Sequence, residues 1–244
     1  MNPYGVTTQP TQPIVSDPAV ERAFINKVYM WMALALGITG LVAAATANNE
    51  AFLTTLLSGP FMLFLVMAQL GVVLVLSLAV NKLSSGVATG LFIGYAALTG
   101  LTFSTLFLIY TAESIATVFF ITAGMFAIVS TYGFITKTDL TKVGSLALMA
   151  LIGIIIASVV NIFLKSSALY WIVTYLGVIV FVGLIAYDTQ RIKRMANGFA
   201  MAKVDGEEQM VQMQSKATVL GALALYLDFI NLFLMLLRIF GNRR

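Results

Sequence analysis

Six long stretches without a charged side chain dominate this sequence. Between Lys27 and Glu50 lie 22 uncharged residues, between Glu50 and Lys82 31, and between Lys82 and Glu113 30. Glu113 to Lys137 encloses 23, Lys142 to Lys165 encloses 22, and Lys165 to Asp188 another 22. A bilayer core takes roughly 20 apolar residues of helix, so these gaps predict spans over about 28–47, 60–80, 87–110, 114–134, 143–163 and 167–187. A seventh segment, 217–240, is long enough to span but is interrupted by Asp228, Asn231 and Arg238. The runs are continuous rather than alternating, which excludes a β-barrel.

Composition agrees. Hydrophobic residues make up 60% of the 244 and charged residues only 10%, whereas a soluble domain carries about 25% charge. A net charge of +4 is spread too thinly to bind a nucleic-acid backbone. Cysteine and histidine are both absent. That removes disulfides, thiol nucleophiles, Cys/His zinc sites and Ser-His-Asp triads together. It also removes histidine as a pH sensor, so proton-linked behaviour must come from carboxyl groups or the amino terminus. No resident cofactor is expected.

Residues 1–20 hold four of the five prolines, with several Thr and Gln. They read as a disordered cytoplasmic tail rather than a cleavable signal, ahead of a single transmembrane domain over 21–244. Counting Lys and Arg by loop puts ten on the amino-terminal side and four on the other if the last segment spans. The amino terminus is therefore expected in the cytoplasm. A re-entrant last segment would make the count 13 to 1. Its length favours spanning, and spanning is expected because early helices usually set topology.

Gly86, Gly90 and Gly94 recur every four residues and predict a close helix–helix contact on the third span. Gln69 and Asn161 fall at membrane depth and suggest hydrogen bonds between helices.

Asp228, in ALALYLDFINLFLMLLRIFG, is the one carboxylate deep within an apolar segment, and Asp188 ends the sixth span in LIAYDTQRIKRM. A charge at membrane depth costs roughly 2.5–3.5 kcal/mol on insertion scales, so such residues face a cavity or a partner. On a helix Asp228 and Asn231 project within about 60° of each other, and Asn231 and Arg238 nearly superpose. If the two aspartates meet in low dielectric they do not ionise independently and hold one proton between them. From spacing alone two other readings stand. Asp188, close to Arg191, Lys193 and Arg194, also suits a solvated helix-end charge, and Asp228 also suits pairing with the neighbourhood of Arg238 or with a backbone group of another helix.

Two membrane aspartates further suggest an intramembrane aspartyl protease. Tyr187-Asp188 fits the first half of that motif, but Asp228 follows Leu225, Tyr226 and Leu227 with no glycine, and no proline occurs after Pro60. Without histidine, serine intramembrane proteolysis is excluded as well, and the chain is not expected to be an enzyme.

The segment YDTQRIK at 187–193, followed by ALALYLDFINLFLMLLRIFG at 222–241, resembles the signature of the Bax-inhibitor (transmembrane Bax inhibitor motif) family, and is most similar to its bacterial YccA-like and YetJ-like members. The likeness covers about 22–241 and includes GYAALTGLTFSTLFLIYT. It implies an all-α polytopic membrane protein of seven helices, six wrapped around a central seventh. It also implies a pH-sensitive calcium leak gated by an aspartate pair, here Asp188 and Asp228, which would meet Ca²⁺ transiently. Tyr187, Asn231 and Arg238 are the supporting polar residues. Some members carry a second-helix arginine that latches onto the seventh-helix aspartate; here that stretch reads LSLAVNKLSS, with Lys82 as the nearby cation. A YccA-like member is also expected to modulate the membrane AAA protease FtsH, with the tail 1–20 as a handle. The expected location is the inner (plasma) membrane, multi-pass.

Overall fold

The computed structural model describes residues 18–201 and 207–244. Helices α1 (Pro18–Ala47), α2 (Glu50–Leu56), α3 (Gly59–Ala79), α4 (Ser85–Phe103), α5 (Leu106–Ile109), α6 (Ala112–Ile135), α7 (Thr141–Leu164), α8 (Ser167–Met201) and α9 (Glu207–Phe240) account for nearly all of them. Seven rods are long and apolar enough to cross a bilayer: α1, α3 with its 3₁₀ extension to Lys82, α4 with α5, and α6 to α9. The protein is an all-α polytopic membrane protein.

Three helices open on a polar residue whose side chain caps them. Asn49 Oδ1 accepts the Phe52 N–H, Ser84 Oγ that of Val87, and Thr111 Oγ1 that of Ser114. Helix α1 opens on Pro18, whose missing N–H costs nothing in a first turn. Residues 18–20, expected in the tail 1–20, are helical; residues 1–17 lie outside the described residues.

Helices α8 and α9 run past the predicted spans, to Met201 and back to Glu207. The stretch 188–201 was expected in a loop, but it carries apolar residues at helical spacing, and Ile192 and Ala196 are buried.

Burial separates α9 from the rest. Within its apolar window 72% of residues are buried, against at most 39% in any other span. Its main neighbours are α1, α4, α6 and α8, while α3 packs on α4 and α7 on α8. Aromatic rings fill its surroundings: Tyr226 takes Phe92 and Tyr95 edge-on at 5.9 and 5.8 Å, and Phe229 meets Phe119 and Phe126 at 5.3 and 5.6 Å.

The last helix runs from one end of the bundle to the other. Near one end, Lys216 Nζ donates to the Asn81 carbonyl beside the α3–α4 connection. At the other end, Arg244 N donates to the Ile109 carbonyl and Asn242 N to Ser114 Oγ, beside the α5–α6 connection. Those connections lie at opposite ends of the bundle, termed below the Asp139 end and the Lys165 end.

Gly86, Gly90 and Gly94 make no close packing contact: a Cβ at any of them would meet nothing within 4 Å. Their face of α4 points outward, and the buried face is Ala88, Phe92 and Ala96. Close approach occurs instead at Gly100, where a Cβ would lie 2.7 Å from the Thr39 carbonyl oxygen, and at Gly133, where it would overlap the Ala186 backbone.

Candidate functional site

Helix α8 brings Asp188 and α9 brings Asp228 next to each other, close enough for the two carboxyl groups to interact. Two carboxylates offer only acceptors, so a hydrogen bond between them requires a proton on one of them. Asp228 is 5% exposed. Its Oδ2 is fully buried and has no hydrogen-bond partner among the described residues. Asp188 sits nearer the Asp139 end. Arg191, one turn further along α8, places Nη1 3.8 Å from Asp188 Oδ1, with side-chain exposures of 58% for the arginine and 13% for the aspartate. The pair therefore has a wet, cationic side at Arg191 and a dry side at Asp228.

Around it the bundle is tied by hydroxyl groups. Tyr29 OH on α1 is hydrogen-bonded to Ser130 Oγ on α6, and Ser130 Oγ lies 3.0 Å from Thr189 Oγ1 on α8. Further along α9, the buried Tyr226 hydroxyl lies 2.7 Å from Thr39 Oγ1, and the Thr39 hydroxyl is 2.9 Å from both the Ala35 and Ala96 carbonyls. These two clusters join α1, α4, α6, α8 and α9 with neutral groups.

A polar clamp closes the Asp139 end. Gln190 Nε2 donates to the Thr138 carbonyl at 2.8 Å, and its Oε1 accepts the Leu140 N–H at 2.9 Å. Arg194 Nη1 lies 3.1 Å from Asp139 Oδ1 and 3.1 Å from Thr141 Oγ1. Hydrogen bonds from the Thr141 side chain and backbone, with Arg194 beside them, hold the Asp139 carboxyl below the usual carboxylate range. Lys193 Nζ donates to the Phe134 carbonyl at 2.9 Å.

The other predicted polar residues lie elsewhere. Tyr187 packs its ring over Gly144 of α7. Asn231 Nδ2 donates to the Leu227 carbonyl of its own helix. Arg238 stacks over Tyr170 at 5.2 Å and points Nη1 at Met235 Sδ. None of the three hydrogen-bonds either aspartate among the described residues. Lys82 is exposed, ends the 3₁₀ turn Val80–Lys82, and makes no ion pair with Asp228. Gln69 bridges helices as expected, donating to Thr102 Oγ1 at 2.8 Å. Asn161 does not; its Oδ1 accepts the Ser166 N–H and shapes the α7–α8 turn.

Sequence reasoning missed the Tyr29–Ser130–Thr189 cluster and the Gln190 clamp. Single hydroxyls on apolar helices carry no spacing signal. Gln190, two residues beyond Asp188, reads as an ordinary helix-end amide.

The fold and the paired acids define a seven-helix membrane protein with a carboxyl pair, one member buried and one partly exposed, where its last two helices meet. Residues 21–244 match the family described as inhibitor of apoptosis-promoting Bax1, and the chain belongs to that family. It is 52% identical over 232 residues to the inner membrane protein YbhL of Escherichia coli K12, covering 95% of this chain and 96% of that one. An uncharacterized protein of Borreliella burgdorferi is 45% identical over 226 residues, covering 92% and 94%. The uncharacterized protein YrjE of Lactococcus lactis is 37% identical over 225 residues, covering 90% and 91%.

Proposed function

We propose that this chain is a passive, pH-sensitive calcium leak of the bacterial inner membrane, gated by Asp188 and Asp228. The observation that carries the reading is the meeting of the two carboxyl groups between α8 and α9. The chain is not an enzyme and holds no resident cofactor; protons and Ca²⁺ are what it handles. The inner-membrane location follows the name of the E. coli relative. The Asp139 end, with most of the Lys and Arg, faces the cytoplasm, as does the amino terminus.

A proton held between the carboxyls joins α8 to α9. Its loss leaves two like charges in low dielectric, and their repulsion weakens the junction and favours an open path. Ca²⁺ is a hard cation that prefers carboxylate oxygens. Two carboxylates fall short of the six to eight oxygens of a storage site, which suits an ion that must bind and leave.

The test is calcium efflux from vesicles containing the purified protein, across pH 5.5 to 8.5. Wild type is expected to leak more as pH rises. Asp228→Asn and Asp188→Asn are expected to lose the pH response. An unchanged response in both variants overturns the gate. Absence of flux from wild type overturns the leak and favours a regulator of the membrane AAA protease FtsH, whose effect should then disappear on deleting residues 1–20.

A further inference from the structure

Near the Lys165 end, α7, α8 and α9 frame a groove of about 560 Å³ that neither the aspartate pair nor the hydroxyl clusters use. Its polar lining is Arg238, Asn231, Asn161, Ser158 and Tyr170. Arg238 is half-buried and makes no ion pair among the described residues. Its neighbours are a thioether 3.9 Å away and the face of Tyr170. A guanidinium carries five N–H donors, so most of this cation's capacity is unspent by protein. Asn161 spends its oxygen on the Ser166 N–H and keeps its amide donors.

Depth identifies what such a cation meets. Arg238 lies two residues before the end of α9, Tyr170 three after the start of α8, and Asn161 three before the end of α7. At about 1.5 Å per residue all three lie within roughly 5 Å of their helix ends, the depth of a headgroup boundary. Trp171 and Tyr175 stack beside them at 5.7 Å and are partly exposed, as aromatic residues at a bilayer interface are. The groove wall also includes Ile155 and Ile162 of α7, both more than half exposed.

We propose that this groove binds one phospholipid of the leaflet at the Lys165 end, its phosphate taken by Arg238 with Asn161, and an acyl chain along the α7 wall. Charge complementarity selects a phosphate. The continuous apolar wall selects a lipid over a free anion, which has nothing to lay against Ile155 and Ile162.

Native mass spectrometry of the full chain, released from nanodiscs of phosphatidylethanolamine and phosphatidylglycerol, tests this. Wild type is expected to retain a phospholipid adduct. Arg238→Gln should lose it by about tenfold or more, the loss of one charge-assisted contact. Arg243→Gln, which removes a terminal cation outside the groove, should keep it. Ser158→Leu fills the groove without touching the charge and should also lose the adduct; it decides the matter if Arg238→Gln fails to fold. Undiminished adduct in folded Arg238→Gln or in folded Ser158→Leu overturns the proposal. So does displacement of the lipid by inorganic phosphate, which would make the site one for free anions.

Discussion

Gln190 Oε1 accepts the Leu140 backbone N–H at 2.9 Å, and through its other amide atom the same side chain holds the Thr138 carbonyl. One residue of α8 thereby fixes both ends of the turn between α6 and α7, two positions from Asp188. Gln190→Leu leaves two backbone groups without partners and should destabilise the protein by about 1–3 kcal/mol. Gln190→Glu keeps the acceptor for Leu140 but sets an acceptor oxygen against the Thr138 carbonyl, so it should destabilise as well. Thermal unfolding in detergent and hydrogen exchange at the Leu140 amide read both.

The same turn should loosen in acid. The folded state holds the Asp139 carboxyl below its ordinary range, chiefly through Thr141. A carboxyl lowered in this way contributes stability that is present above its unfolded value, about 4, and is lost as pH falls through the lower folded one. Hydrogen exchange over 136–141 should therefore rise only below about pH 4. Asp139→Asn should show raised exchange already at neutral pH, with no further rise on acidification.

Two glycines should respond in opposite ways. A methyl group at Gly133 meets the backbone of Ala186, which cannot step aside as a flexible side chain would. Gly133→Ala should lose about 2 kcal/mol or more by forcing α6 off α8. Gly90 faces open space, so Gly90→Ala should be neutral or gain up to about 1 kcal/mol from helix propensity. Melting temperatures of the two variants in one detergent settle the contrast.

Tyr226 is completely buried and its hydroxyl rests on Thr39. Thr39→Val should cost about 1–2 kcal/mol by stranding that hydroxyl. Tyr226→Phe in the Thr39→Val background should add little, because the partner is already gone. A double-mutant cycle on unfolding free energy measures the coupling.

Much of the fold could be read from where charges do not occur. Six charge-free gaps located six spans to within a few residues at most ends, because hydrocarbon excludes charge whatever the packing. Packing partners were harder to read. The Gly86, Gly90 and Gly94 stripe marks a face without saying what lies opposite, and what lies opposite is open space. Gly133 and Gly144, which do accept a neighbour, sit in no pattern. The charged composition after Asp188 marks the end of the predicted span, but a helix continues past such a point when one stripe stays buried, as Ile192 and Ala196 do. Asp228 announced itself as a buried acid. That its partner is Asp188 came from likeness to a family, since spacing cannot tell which helices adjoin. The hydroxyl clusters left no trace, because Ser and Thr bond their own helix as readily as another.

Helix α8 is one unbroken rod of 35 residues, about 52 Å at 1.5 Å per residue, against a hydrocarbon core of about 30 Å. The surplus projects beyond Asp188. In a stiff element of that kind, a force applied to the arm beyond Asp188 would be carried to residue 188 along the helix itself.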